Sequence, residues 1–166
     1  MPDRLRELLI IRHAKSDWSD ETLADIDRPL AEKGKKQACK MGHWLAAQDL
    51  VPHRILVSPA VRTQQTLARL TRHWPHKPEA LEIPDLYNAT TDTLTHLLRQ
   101  QPDELTRIAI IGHNPGLETL LSWLTGDETL ARLSTCAIAQ LLIPGRWEEL
   151  RPREAKLVQL VTPKNI

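Results

Sequence analysis

The sequence predicts a three-layer α/β/α sandwich around a mostly parallel central sheet. Short apolar runs alternate with segments of helical period over most of the chain, the pattern of a layered α/β protein. The runs at 6–11, 54–57 and 107–111 lack strict polar alternation, as expected of strands covered on both faces. A chain of 166 residues suits a single domain, 1–166, and at this length folding buries roughly 70% of the surface of the unfolded chain.

The elements follow in order. Residues 6–11 form the first strand, and 14–29, polar with Ser, Asp and Trp, form a loop. Ala38, Met41, Trp44 and Leu45 recur at three and four residues, which predicts an amphipathic helix over 30–48 despite Gly34 and Gly42. A strand at 54–57 leads into Ser58-Pro59, a helix-opening pair in which Ser58 can cap; that helix runs to about 73 with Leu67 and Leu70 inward. Residues 74–78 read as a surface connection, 80–83 as a short strand, and 92–99 as a helix on Leu94, Leu97 and Leu98. A strand at 107–111 precedes a helix opened by Asn114-Pro115, running through Trp123 and closing near Gly126. Two final strands are expected at 136–143 and 156–161. Cys39 falls in a helix and Cys136 in a strand, both as small buried apolar groups.

Three of the runs end on a cation or an imidazole: Arg12-His13, Ser58 to Arg62, and Gly112-His113. If the runs are neighbouring strands, two arginines and two histidines converge at their carboxyl ends, where open α/β sheets bind ligands. A phosphoryl group in transfer spreads charge over three oxygens and needs fixed donors, for which arginine forks are suited. Arg12 and Arg62 are the phosphate-binding candidates, and Arg62 falls in the first turn of a helix whose free N–H groups also favour an anion. His13 is the candidate nucleophile, because an imidazole with a pKa of about 6.5 is largely neutral near pH 7. His113 is the second imidazole, binding the phosphoryl oxygens.

Arg12-His13-Ala14-Lys15-Ser16-Asp17-Trp18, Asp27-Arg28-Pro29-Leu30 with Gly34, Ser58-Pro59-Ala60-Val61-Arg62-Thr63-Gln64-Gln65-Thr66 and Gly112-His113-Asn114-Pro115 resemble the histidine phosphatase superfamily. Within it, the small SixA-type phosphohistidine phosphatases are the nearest in pattern, and the likeness runs in order from residue 8 to about 118. The resemblance implies a phosphoglycerate mutase-like fold and a metal-independent hydrolase with no cofactor. It implies that His13 takes the phosphoryl group, that water then releases it, and that Arg12, Arg62 and His113 hold the oxygens. It also implies a phosphorylated protein as partner, such as a histidine phosphotransfer domain. Ala14-Lys15 departs from the commoner motif, which has Gly after the histidine.

Larger members of the superfamily protonate an alcohol leaving group with a carboxylic acid. The candidates here are Glu82, Asp85 and Asp92, or Asp17, Asp20 and Asp25 in the first loop, and no spacing selects one. An alkoxide is more basic than imidazole by roughly 9 pK units, or about 12 kcal/mol. A site without a positioned acid therefore favours phosphoramidates over alkyl phosphates. Two other readings stay open: a small-molecule phosphomonoesterase with Glu82 or Asp85 as acid, and a phosphate-recognition module that needs no nucleophile. Arg28 reads equally as a substrate contact or a loop brace, Ser19 and Asn114 as phosphate contacts or, for Asn114, a helix cap. Trp18 and Trp123 read as packing residues, and Glu32-Lys33-Gly34-Lys35-Lys36 as a solvated helix face.

With 22 basic and 21 acidic side chains, the net charge of +1 gives no basis for nucleic-acid or membrane binding. No apolar run approaches the roughly 20 residues of a bilayer span, so a soluble, cytoplasmic protein is expected; the sequence leaves the oligomeric state open, with a monomer the expectation. His73 and His76 flank Trp74-Pro75 without a third ligand, and no metal site is expected.

Overall fold

The computed structural model describes residues 5–130 and 132–166. Six strands form one sheet: β1 (Leu5–Arg12), β2 (Arg54–Val57), β3 (Glu79–Glu82), β4 (Arg107–Gly112), β5 (Ile138–Pro144) and β6 (Lys156–Val161). The helices are α1 (Glu32–Ala47), α2 (Val61–Thr71), α3 (Thr91–Arg99) and α4 (Gly116–Thr125). The strand order is β3-β2-β4-β1-β5-β6. The first four of these run parallel, and β5 and β6 are added by antiparallel pairing. This is the mostly parallel sheet the sequence predicts.

Side chains alternate between the two faces of a strand, and here both faces are covered. Leu8, Ile10, Leu56, Ile108 and Ile110 pack against Leu94 and Leu98 of α3 and Leu117, Leu120 and Leu121 of α4. Leu9, Ile11, Ile55, Val57 and Ile111 pack against Ala38, Met41 and Leu45 of α1 and Leu70 of α2. The two helix layers therefore enclose the sheet. The chain has no Phe, and fully buried Trp147 fills much of the aromatic volume of the first core, its Nε1 donating to the Leu105 carbonyl at 2.7 Å.

Local details depart from the sequence reading in five places. Ser58 does not cap α2: the cap position is Ala60, and the Ser58 hydroxyl accepts from the Ala60 N–H at 3.3 Å, outside the helix, while lying 2.8 Å from His113 Nε2. Asn114 does not cap α4, whose cap position is Pro115. Cys136 precedes β5 in a turn, with a left-handed φ of 60°, and its N–H donates to the His13 carbonyl at 3.0 Å. Trp74 is buried rather than on the surface, since its Nε1 donates to the Gly42 carbonyl at 2.9 Å. Trp18 is 63% exposed instead of packed. Among the described residues no helix is long and apolar enough to cross a membrane.

Gly34 and Gly42 lie inside α1 because backbone approaches there. A Cβ on Gly34 would lie 2.1 Å from the Lys15 carbonyl oxygen, and one on Gly42 would lie 2.1 Å from that of Leu70. The first contact seats α1 against the loop after β1; the second sets α1 against α2. Ala ordinarily strengthens a helix by about 1 kcal/mol over Gly. Gly42→Ala is nevertheless expected to lower the unfolding free energy by about 1–3 kcal/mol, because backbone must move to admit the methyl. Denaturant unfolding of the variant checks this, and a rise in stability would show that the approach is not required.

Candidate active site

The carboxyl ends of β1, β4 and β2 lie side by side. Arg12 is in register with Gly112, and Ile111 with Val57. The ladder continues one residue further on each side, with His13 N–H donating to Gly112 O and Ser58 N–H to Ile111 O, both at 3.1 Å. Residues 12–13, 58–62 and 113 therefore leave the sheet at one edge. A cavity of about 620 Å³ opens there, lined by Arg12, His13, Asp25 and Arg62 among others.

His13 is 7% exposed, and its Nδ1 lies 2.7 Å from the Ala14 carbonyl. A carbonyl only accepts, so Nδ1 carries the hydrogen and Nε2 keeps a free lone pair. His113 does not line the cavity itself, but its ring centroid lies 5.3 Å from that of His13. Its Nε2 is 2.8 Å from the Ser58 hydroxyl, while its buried Nδ1 has no partner among the described residues. The Ser58 carbonyl accepts from Thr63 Oγ1 and Gln64 Nε2, which fixes the turn that presents this hydroxyl.

The two arginines are braced differently. Arg12 Nη1 donates to Leu133 O at 3.0 Å, while its Nε is buried without a partner among the described residues. Asn114 Nδ2 donates to the same carbonyl at 2.8 Å, which explains why Asn114 is withheld from the helix cap. Arg62 Nη1 and Nη2 donate to the main-chain oxygen and Oδ2 of Asp25, at 2.7 and 3.0 Å. Tyr87 donates its hydroxyl to Asp25 Oδ2 at 2.5 Å, and its ring meets His113 edge-on at 5.4 Å. Asp25 and Tyr87 thus tie the first loop to Arg62 and to the second imidazole. The sequence reading offered Asp25 only as one of several acids and did not single out Tyr87; their meeting across the fold has no sequence spacing to signal it.

Electrostatics follow from burial. Desolvation, with Arg62 and Arg12 nearby, pushes the His13 pKa down to about 4. Desolvation and Arg62 push His113 down to about 3. Both imidazoles are therefore neutral near pH 7. Burial also lowers the pKa of Arg12, partly opposed by Glu118. The Tyr87 hydroxyl and Arg62 hold the Asp25 carboxyl below its usual range, so it stays ionised.

The other candidates fall outside this centre. Glu82 and Asp85 are exposed and do not line the cavity. Asp17 and Asp20 accept hydrogen bonds from Ser19 and Thr22 within their own loop, which lowers both pKa values. Arg28 is a loop brace, its guanidinium 4.0 Å from the Trp18 ring centroid and its Nε 3.6 Å from Asp25 Oδ1. Among the described residues no group of three or more His, Cys, Asp or Glu could hold a metal ion. The charge run at 32–36 is only in part a solvated face: Lys35 pairs with Glu32 at 2.9 Å, but Lys33 lines the cavity.

A doubly covered parallel sheet with guanidinium and imidazole groups at its carboxyl edge marks a phosphate-handling α/β enzyme. The family model described as Histidine phosphatase superfamily (branch 1) matches residues 8–88. An uncharacterized chloroplastic protein of Arabidopsis thaliana is 34% identical over 95% of this chain and 78% of its own length. Phosphohistidine phosphatase SixA of Escherichia coli is 27% identical over 82% of this chain and 85% of its own. The protein histidine phosphatase SixA solved with tungstate superposes with a TM-score of 0.83 at 25% identity, covering 96% of this chain and 98% of the other. The chain belongs to the histidine phosphatase superfamily, in its SixA-type branch, and its fold is the phosphoglycerate mutase-like one.

The depressed histidine pKa values link stability to pH. The unfolded imidazoles titrate near 6.5, so below that pH the unfolded state binds more protons and the native state loses stability. The loss begins near 6.5 and levels off at about 4 for His13 and about 3 for His113. Each group contributes a slope of up to about 1.4 kcal/mol per pH unit. His113→Asn is expected to make the fall between pH 6 and 4.5 shallower than in wild type. Urea titrations across that range check this, and parallel curves would contradict it.

Proposed function

We propose that this phosphatase removes the phosphoryl group from phosphohistidine on a protein, through a phosphohistidine intermediate on His13. The observation that carries the reading is the His13 ring: its Nδ1–H is committed to the Ala14 carbonyl, and its Nε2 is unprotonated beside Arg12 and Arg62. Nε2 attacks phosphorus, the P–N bond to the substrate imidazole breaks, and that ring, already carrying a proton on its other nitrogen, leaves as neutral imidazole with the electron pair. Water then attacks the phosphoryl group on His13, the second P–N bond breaks, and inorganic phosphate departs with His13 neutral again. The free N–H groups of Arg12 and Arg62, with His113, hold the oxygens on which charge accumulates.

The acid inventory supports a phosphoramidate over an alkyl phosphate. Asp25 is the one carboxylate lining the cavity among the described residues, and its charge is held by Arg62 and Tyr87. A carboxyl kept ionised in this way is a poor proton donor. Imidazole, roughly 9 pK units less basic than an alkoxide, departs without one. The SixA relatives, named as a phosphohistidine phosphatase and a protein histidine phosphatase, agree with this choice.

Two outcomes are expected. Brief exposure to phosphoramidate followed by alkaline quench should leave an acid-labile phosphate on wild type and none on His13→Ala, whose turnover falls at least about 1000-fold. Against a phosphohistidine peptide and an alkyl phosphate, kcat/KM should favour the peptide by several powers of ten. Comparable turnover of the alkyl phosphate, lost in Glu82→Gln or Asp85→Asn, would establish the phosphomonoesterase instead. Absence of label with retained phosphate binding would establish a recognition module.

A further inference from the structure

We infer that Lys15, Lys33 and Lys164 form an anion-reading rim that selects protein substrates carrying acidic side chains next to the phosphohistidine; this rests on the phosphohistidine reading above. The three lysines line the same cavity as Arg12, Arg62 and His13. They come from separate parts of the chain: the loop after β1, the first turn of α1, and the segment after β6. The whole chain carries a net charge of +1, so this concentration of cations is local.

Charge bookkeeping at the cavity shows why the phosphoryl group alone does not account for them. Arg12 and Arg62 oppose one carboxylate, Asp25, and a phosphoryl group brings a charge of about −1.5 to −2. Against a net charge of +1 from these side chains, the phosphoryl group leaves a deficit of about half to one positive charge, so it draws on at most one of the three lysines and about two lysine charges are left over. Among the described residues none of the three lysines has a carboxylate within 4.0 Å, whereas neighbouring Lys35 is paired with Glu32 at 2.9 Å.

The backbones that carry these lysines are anchored. Lys15 N–H donates to Gln37 Oε1 at 3.1 Å, and the Lys15 carbonyl accepts from Ala31 at 2.9 Å. Lys40 Nζ donates to the Pro163 carbonyl at 2.7 Å, and Thr162 and Asn165 bond each other across the turn that carries Lys164. The rim is thus three exposed lysine side chains on anchored backbone. Carboxylates on a folded or extended protein segment, adjacent to the modified histidine, are the groups these side chains reach.

The test uses two phosphohistidine peptides, identical except for glutamates or glutamines on either side of the phosphohistidine. Each exposed ion pair contributes roughly two- to five-fold in affinity, so two to three together predict a kcat/KM ratio of about 4 to 100 in favour of the glutamate peptide. The difference should sit in KM, and should shrink as salt rises from about 50 to 500 mM, because exposed pairs are screened. Lys33→Glu/Lys164→Glu should bring the ratio to one or below, and Lys33→Gln/Lys164→Gln should bring it part of the way. Equal kcat/KM for the two peptides in wild type overturns the rim while leaving the phosphohistidine reading intact. Hydrolysis of neither peptide, with hydrolysis of an alkyl phosphate, overturns both.

Discussion

The parallel register of β1, β4 and β2 is the constraint from which the site follows. Arg12 ends β1 opposite Gly112, the end of β4, and Val57 ends β2 opposite Ile111, while main-chain bonds at His13 and Ser58 carry the ladder one step past the sheet. In strands covered on both faces, polarity cannot police the register, since either face is apolar. Volume does so instead: small Ala109 faces the α1–α2 layer, whereas Ile108 and Ile110 face the α3–α4 layer. A shift of one residue would exchange these volumes and turn the strand-end side chains the other way. Core packing remote from the cavity thus determines which groups meet in it.

Once gathered, the groups set one another's charge. Two guanidinium groups in a half-buried corner make further positive charge costly, and the imidazoles respond by remaining neutral. The Tyr87 hydroxyl keeps Asp25 ionised, and the same field contributes through Arg62. One electrostatic arrangement therefore supplies a neutral nitrogen with a free lone pair and at the same time removes the nearest carboxyl from acid duty. In the proposed reaction, leaving-group preference and nucleophile readiness have a common physical origin.

Much of this was legible in the sequence, and the residues show where legibility stopped. The buried runs at 6–11, 54–57 and 107–111 became β1, β2 and β4 nearly residue for residue, because continuous apolar character needs no tertiary information to be read. Arg12, His13, Arg62 and His113 stand out in the sequence by their positions after those strands and by the family resemblance, and the fold brings them to one end of the sheet. The capping reading of Ser58, and the capping alternative for Asn114, fail because local rules for serine and asparagine do not anticipate a distant imidazole or the Leu133 carbonyl. Trp74 was misread because its partner, the Gly42 carbonyl, lies on another helix. The Asp25–Tyr87 link spans 62 positions and exists only after folding. The two glycines of α1 were tolerated by the periodicity; the close approaches that require them are visible only in three dimensions.

Burial separates the chain's two thiols. Cys136 is fully enclosed beside the His13 main chain, and its pKa is pushed up to about 12, which leaves almost no thiolate at neutral pH. Cys39 is only partly covered, on the helix whose Gly34 rests on the loop after β1. A maleimide dye or spin label added to the folded protein consequently has a single address without any engineering. It reports on α1, the element in contact with the loop that borders the cavity, so ligand entry can be followed spectroscopically from a position outside the chemistry.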